Sequence, residues 1–235
     1  MKKFELTTES IYLLGTKLFR IKALVTFGCV KKGELGGFVE KEENLDHTGS
    51  AWIFGNARVY GNARVYRDAR VSGNARVYGN ARVYGNAWVY GNAWVHGDAR
   101  VSGNANVYGN ANVYGNALVH EGALVHGGAK VYEKAWLYGN AKVYGNEEVS
   151  GNAEVSGNQM HATVKGFGSQ YRNTTFFITR DRNICVNCGC FSGTLEQFRA
   201  KVKETHKDTK YAKEYLAIAD LMEMHFKEEL EKIKK

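Results

Sequence analysis

From Ile53 to Val155 an aliphatic residue returns at every sixth position without an insertion, Val in all but Ile53 and Leu137, which makes eighteen consecutive six-residue units. The common word is Ala-x-Val-Tyr-Gly-Asn. Its first four letters follow the period of a strand, with Ala and Val on one face and the variable and aromatic letters on the other. Its last two, Gly with Asn or Asp, enter left-handed backbone conformations at least cost and so bend the chain by a regular angle. Three bends close a triangular coil, and eighteen units predict six coils of 18 residues. Stacked about 4.8 Å apart, they form a prism on the order of 29 Å long. A unit this short cannot bury its apolar face alone, so stability must come from coil on coil, and both ends require covers.

The flanking segments supply those covers. Residues 1–50 contain "FELTTE", "IYLLGTKLFRIKALVTF" and "GGFVE", which predict a β-rich cap with Gly15 in a hairpin turn and Gly36-Gly37 ahead of a strand leading into the repeats. The repeats occupy residues 51–158. Beyond them, in 159–235, "TTFFITR" and "ICVNCGCF" predict a hairpin around "DRN". Two helices follow. Thr194 with Gln197 forms a capping box for the first, which runs to about Thr205. The second starts near Thr209 and carries Tyr211, Tyr215, Ile218, Met222, Phe226 and Leu230 on one apolar face. The expected fold is mainly β: a parallel β-helix between an N-terminal β cap and a C-terminal ββαα module.

Composition narrows the function classes. The net charge is +8, without a polybasic tail, and no apolar run nears the roughly 18 residues of a membrane helix, so a soluble, cytoplasmic chain without a membrane partner is expected. Among four cysteines, Cys185, Cys188 and Cys190 cluster in "CVNCGC" and read as reduced thiols or a metal site rather than a disulfide frame. Zinc would need a fourth ligand such as His161 or His206, and strand alternation puts Cys188 and Cys190 on one face with Cys185 on the other. The competing reading is buried thiols in a small hairpin core. No cofactor is implied.

Residues 18 apart stack on one wall, so the letter before each Val makes three outward columns. The first wall reads Trp52, Arg70, Trp88, Asn106, Leu124, Lys142. The second reads Arg58, Arg76, Trp94, Asn112, Lys130, Glu148. The third reads Arg64, Arg82, Arg100, Leu118, Trp136, Glu154, beside a column that begins Tyr66, Tyr84. Charge thus runs from basic to acidic along the rod. Like charges directly opposite on neighbouring strands repel, so three arginines in line call for a partner. Cation-π contact with Tyr66 and Tyr84 is one relief, and bidentate binding of phosphate or carboxylate is a better one. The plainer reading is that Arg and Tyr keep a repetitive sheet soluble and its edges unsociable. Leu118, Leu124 and Trp136 are outward apolar residues and predict a partner surface, most simply between copies of the chain.

The alternation of an aliphatic residue with a small residue four positions later resembles the hexapeptide signature of left-handed parallel β-helices. That resemblance implies the left hand of the coil, since the period itself leaves the hand open. It also implies frequent packing as trimers. The stretch "KALVTFGCVKKGELGGFVEKEENLDHTGSAWIFGNARV" together with "TTFF" and "CGCFSGTLEQF" is similar to phage and prophage hexapeptide-repeat proteins, whose members are named acyltransferases or polymer-forming proteins. It implies a bacterial host cell, with a host protein or a small nucleotide-like anion as partner and interference with host defence as one task; a role in the virion is a third option. Acyl transfer from acyl-CoA is the enzymatic alternative and needs a general base. His96, His120 and His126 are available, yet each occupies the Tyr letter in register, and no loop leaves the prism to cover a substrate. One letter breaks the pattern: Glu147 takes the inward small position, where a buried carboxylate is costly, so the last coil is expected to be open there.

Overall fold

The computed structural model describes residues 2–233. Eighteen two-residue strands, β4 (Trp52–Ile53) to β21 (Glu154–Val155), pair in parallel with the strand three units away, Arg64 with Arg82 and Arg82 with Arg100, for example. This is the 18-residue register of the period, and it divides the rod into three flat walls. Within one unit, Arg82, Tyr84 and Asn86 donate their amides to Ala99, Val101 and Gly103 of the next coil at 2.9, 3.0 and 2.8 Å. At the corners Asn side chains add a second ladder, Asn62 to Asn80 at 3.2 Å and Asn80 to Asp98 at 3.0 Å. Ala and Val fill the interior and are almost wholly buried from Ala57 to Val143.

The corners show why the chemistry of the fifth letter is fixed. At Gly97, φ is +68°, and a Cβ would sit 3.0 Å from the Gly115 amide nitrogen of the next coil. Both the left-handed backbone and the tight stacking exclude a side chain there. Arg67, with φ of 60°, and Glu121 and Glu133, with φ of 57°, occupy this position instead of Gly, and the two glutamates are instructive. Their carboxylates accept from the next coil's amides, Gly139 at 2.8 Å and Gly151 at 2.6 Å, which offsets the backbone strain.

The N-terminal segment forms the expected hairpin, β1 (Phe4–Leu13) and β2 (Thr16–Ala23), with Leu14 and Gly15 at positive φ in the turn. It then joins the rod. β3 (Leu35–Val39) pairs with Arg58-Val59, and Leu45 bridges Val65, so an incomplete turn precedes the six regular ones and the solenoid has about seven turns. Gly36 and Gly37 are required at this junction, because a Cβ on either would lie 2.6 or 2.5 Å from the carbonyl oxygens of Ile53 and Ala57.

At the other end the hairpin of β23 (Thr174–Ile178) and β24 (Ile184–Cys188) is flanked by two further strands, β22 (His161–Val164) and β25 (Phe191–Thr194), in one antiparallel sheet. Helix α1 (Leu195–His206) begins with the Thr194–Gln197 capping box, and α2 (Lys210–Ile233) lays Tyr215, Ile218, Met222 and Phe226 onto the core. Strand β23 packs on the last coil, and Asn187 of the neighbouring β24 fastens the sheet to it by donating to the Glu148 carbonyl at 2.9 Å. The apolar core is thereby continuous from Phe4 to Phe226.

Candidate functional site

The third wall places Arg64, Arg82 and Arg100 directly above one another on β6 (Arg64–Val65), β9 (Arg82–Val83) and β12 (Arg100–Val101). Val65, Val83 and Val101 face inward and are fully buried, so strand alternation forces all three guanidinium groups out, where each residue is exposed. Strand spacing holds successive Cα atoms about 4.8 Å apart. The rod carries a lysine–carboxylate pair further along, Lys130 to Glu148 at 2.8 Å, but these three arginines join no ion pair among the described residues. Arg58 and Arg76 stack in the same way on the second wall. Residues 52–101 hold seven arginines against Asp68 and Asp98, so the head of the rod is strongly basic.

The neighbouring tyrosines do not serve the wall as the sequence suggests. Tyr66 and Tyr84 stack on each other with centroids 4.9 Å apart, and the cation over Tyr84 is Arg67 at 5.7 Å, from the adjoining corner. Aromatic rings instead run as continuous ladders along the corners. Tyr60, Tyr78, His96, Tyr114 and Tyr132 stack in series at 4.7 to 5.1 Å, and burial raises the phenol pKa of each of these tyrosines. Burial likewise lowers the pKa of His96, with Asn112 working in the opposite direction. His126 lies between Tyr108 and Tyr144, and His120 stacks on Tyr138. Each histidine is a rung: His96 and His126 have rings on both faces, and His120 on one, with Ser102 one coil before it in the column.

The outward apolar residues divide. Leu118 and Trp136 are register partners above the arginines on the third wall, whereas Leu124 pairs with Asn106 and Lys142 on the first wall, so the three do not form one patch. Trp136 is also covered in part by its own chain. Arg180 stacks over it at 4.4 Å and donates to the Lys134 carbonyl at 3.1 Å. Trp52, at an outward position of the first wall, is 0 % exposed, because Phe4, Phe27 and the N-terminal hairpin close over it. Sequence periodicity places the residue correctly on the wall but carries no sign of what covers it.

Two clefts flank the rod's ends. One of about 490 Å³ adjoins Arg64 but includes Glu42, Glu43 and Asp46, so its charge is mixed and it does not extend the arginine column. The Asp46 carboxyl is held below its ordinary pKa chiefly by the Thr48 amide. At the far end, Glu147 is buried rather than open to solvent. Its Oε2 lies 3.4 Å from His161 Nε2, and the Tyr144 amide donates to the same oxygen at 3.1 Å. The cover is β22, which the sequence pattern did not reveal. His161 is therefore engaged away from the cysteines. Cys188 and Cys190 share a cleft with His206, while Cys185 stands outside it, its thiol pKa raised by burial. No group of three His, Cys, Asp or Glu side chains placed to hold a metal occurs among the described residues. No described helix is long and apolar enough to cross a membrane.

A family model described as YdcK Beta solenoid repeat matches residues 51–67, 57–73, 69–83 and 81–97. The likeness thus covers the basic head of the rod, including Arg64 and Arg82. Curated proteins give no match.

Proposed function

We propose that the chain is a non-catalytic binding scaffold whose third wall holds an extended anion, a ligand with phosphate groups in a row, across Arg64, Arg82 and Arg100. The observation that carries this reading is the unpaired column itself. Three like charges about 4.8 Å apart repel each other unless something neutralises them, and guanidinium groups meet phosphate oxygens bidentately. A flat wall without a surrounding cavity suits a ligand that lies along the rod better than one enclosed by it. The resemblance to phage hexapeptide proteins adds that the ligand or partner belongs to the bacterial host and is met in its cytoplasm. Self-association, with a trimer as the first expectation, rests on Leu118 and half-exposed Trp136 of the same wall.

Calorimetric titration of the full chain with sodium tripolyphosphate, ATP and acetyl-CoA tests the reading against Arg64→Gln/Arg82→Gln/Arg100→Gln. Polyphosphates should bind the natural chain, with affinity at least about tenfold weaker in the triple variant. Acetyl-CoA binding that survives the substitutions, with release of free thiol, would move the function to acyl transfer. Absence of heat with all three compounds would overturn the arginine column as a site.

A further inference from the structure

The second cleft of interest lies in the C-terminal module, away from the rod's walls, and measures about 260 Å³. Its apolar surface comes from Phe191, Phe198 and Val202, where α1 crosses the end of the β24–β25 hairpin. Phe198 and Val202 are buried, and Phe198 meets Phe191 and Tyr215 with centroids 5.6 Å apart. Its charged lining is cationic, Arg172 and Lys201 beside the His206 ring with no Asp or Glu among the lining residues, although Lys201 also holds the Glu204 carboxylate one turn along its own helix at 3.0 Å. Tyr215 contributes a buried hydroxyl, since the residue is 6 % exposed. Gly168 packs against the ring end, and among the described residues the hydrogen bond at that hydroxyl is one it accepts from the Cys188 thiol, at 3.9 Å. Such a distance is too long to satisfy a buried O–H well. The Cys188 sulfur in turn accepts from the Thr174 hydroxyl at 3.2 Å. Burial pushes the Tyr215 phenol up to about 12, so it keeps its proton and is available as a donor.

The geometry points to a binding site for a small organic acid with an apolar body, a short-chain aliphatic or monocyclic aromatic carboxylate. The apolar part lies against Phe191, Phe198 and Val202, the carboxylate meets Arg172 and Lys201, and the Tyr215 hydroxyl donates to it. The volume of this open cleft is below the usual range for drug-sized ligands, which is why the occupant is small. The site is independent of the arginine column on the rod.

Cys188 lines this cleft and Cys29 is exposed in the N-terminal segment, so the chain carries its own reporter and its own control. Hexanoate, hexanol and hexylamine are titrated calorimetrically into the full chain at up to about 10 mM, and maleimide labelling of each cysteine is followed by peptide mass spectrometry. Hexanoate should bind at least about tenfold tighter than hexanol, with hexylamine weakest, and should slow labelling of Cys188 severalfold while leaving Cys29 unchanged. Arg172→Gln/Lys201→Gln, at two exposed positions, should abolish the preference for the acid, and Val202→Trp should fill the cleft and remove both binding and protection. Absence of binding, equal binding of the three compounds, or binding that leaves Cys188 labelling unaltered would each overturn the site. Should Val202→Trp fail to fold, the double variant and the labelling ratio still decide.

Discussion

Arg82 has a like-charged register partner on each side, Arg64 and Arg100, so Arg82→Glu changes two repulsions into two attractions. At the strand spacing of about 4.8 Å each full Coulomb contact in water is worth about 0.9 kcal/mol. Exposed guanidinium tips splay apart, salt screens beyond about 8 Å, and measured exposed pairs fall between about 0 and 1 kcal/mol. The net expectation is therefore a gain of about 1 kcal/mol, which raises the apparent Tm by about 2–4 °C for a chain of this size. Thermal melts of the natural chain, Arg82→Gln and Arg82→Glu should rank in that order of rising stability. The differences should shrink as salt is added, because only the electrostatic part is screened. The same substitution should abolish polyphosphate binding, so stability and binding move in opposite directions. A Tm that falls, or a ranking that ignores salt, would show that the column stores no repulsion and would remove the reason for a ligand there.

Other perturbations test the scaffold. Gly97→Ala, with its Cβ 3.0 Å from Gly115 and φ of +68°, should cost upwards of about 1 kcal/mol in urea unfolding. Leu137→Ala, at a fully buried rung, should cost roughly 2–5 kcal/mol by the same measurement. Glu147→Ala alone should destabilise by leaving His161 without its carboxylate, whereas Glu147→Ala/His161→Leu should recover most of the loss in a double-mutant cycle. The Lys3 ammonium is buried and donates to the Ala51 carbonyl at 2.9 Å, and burial lowers its pKa from 10.5 to about 8. The unfolded chain binds the proton more tightly, so this group's contribution to stability should rise from about pH 8 towards pH 10.5. Lys3→Met should flatten that rise when unfolding is followed across the window.

The repeat was legible because its chemistry is local. A Gly with Asn or Asp every six residues fixes the corner, an aliphatic residue fixes the inward face, and both together fix the 18-residue register that puts three arginines on one wall. The Thr194–Gln197 box and the Leu14-Gly15 turn were legible for the same reason. Features made by distant segments were not. Trp52 is covered by Phe4 and Phe27, and Glu147 meets His161 only because β22 folds back over the last coil. The four-residue "HATV" of β22 is too short to stand out as a strand in the sequence before it pairs with β23. The sharing of Tyr66 and Tyr84 between neighbours depends on ring against ring rather than ring against guanidinium, a choice that composition leaves open. The cleft of the C-terminal module gathers Arg172, Cys188, Lys201 and Tyr215, which no spacing rule connects.

The most direct test of the arginine column is the salt dependence of its affinity for a short oligothymidylate. Contacts from three arginines to phosphates of a single strand predict a slope of log K against log salt of about −2, and Arg82→Gln should make it shallower by about 0.7. A slope near zero, or one that is unchanged in Arg82→Gln, would contradict the account.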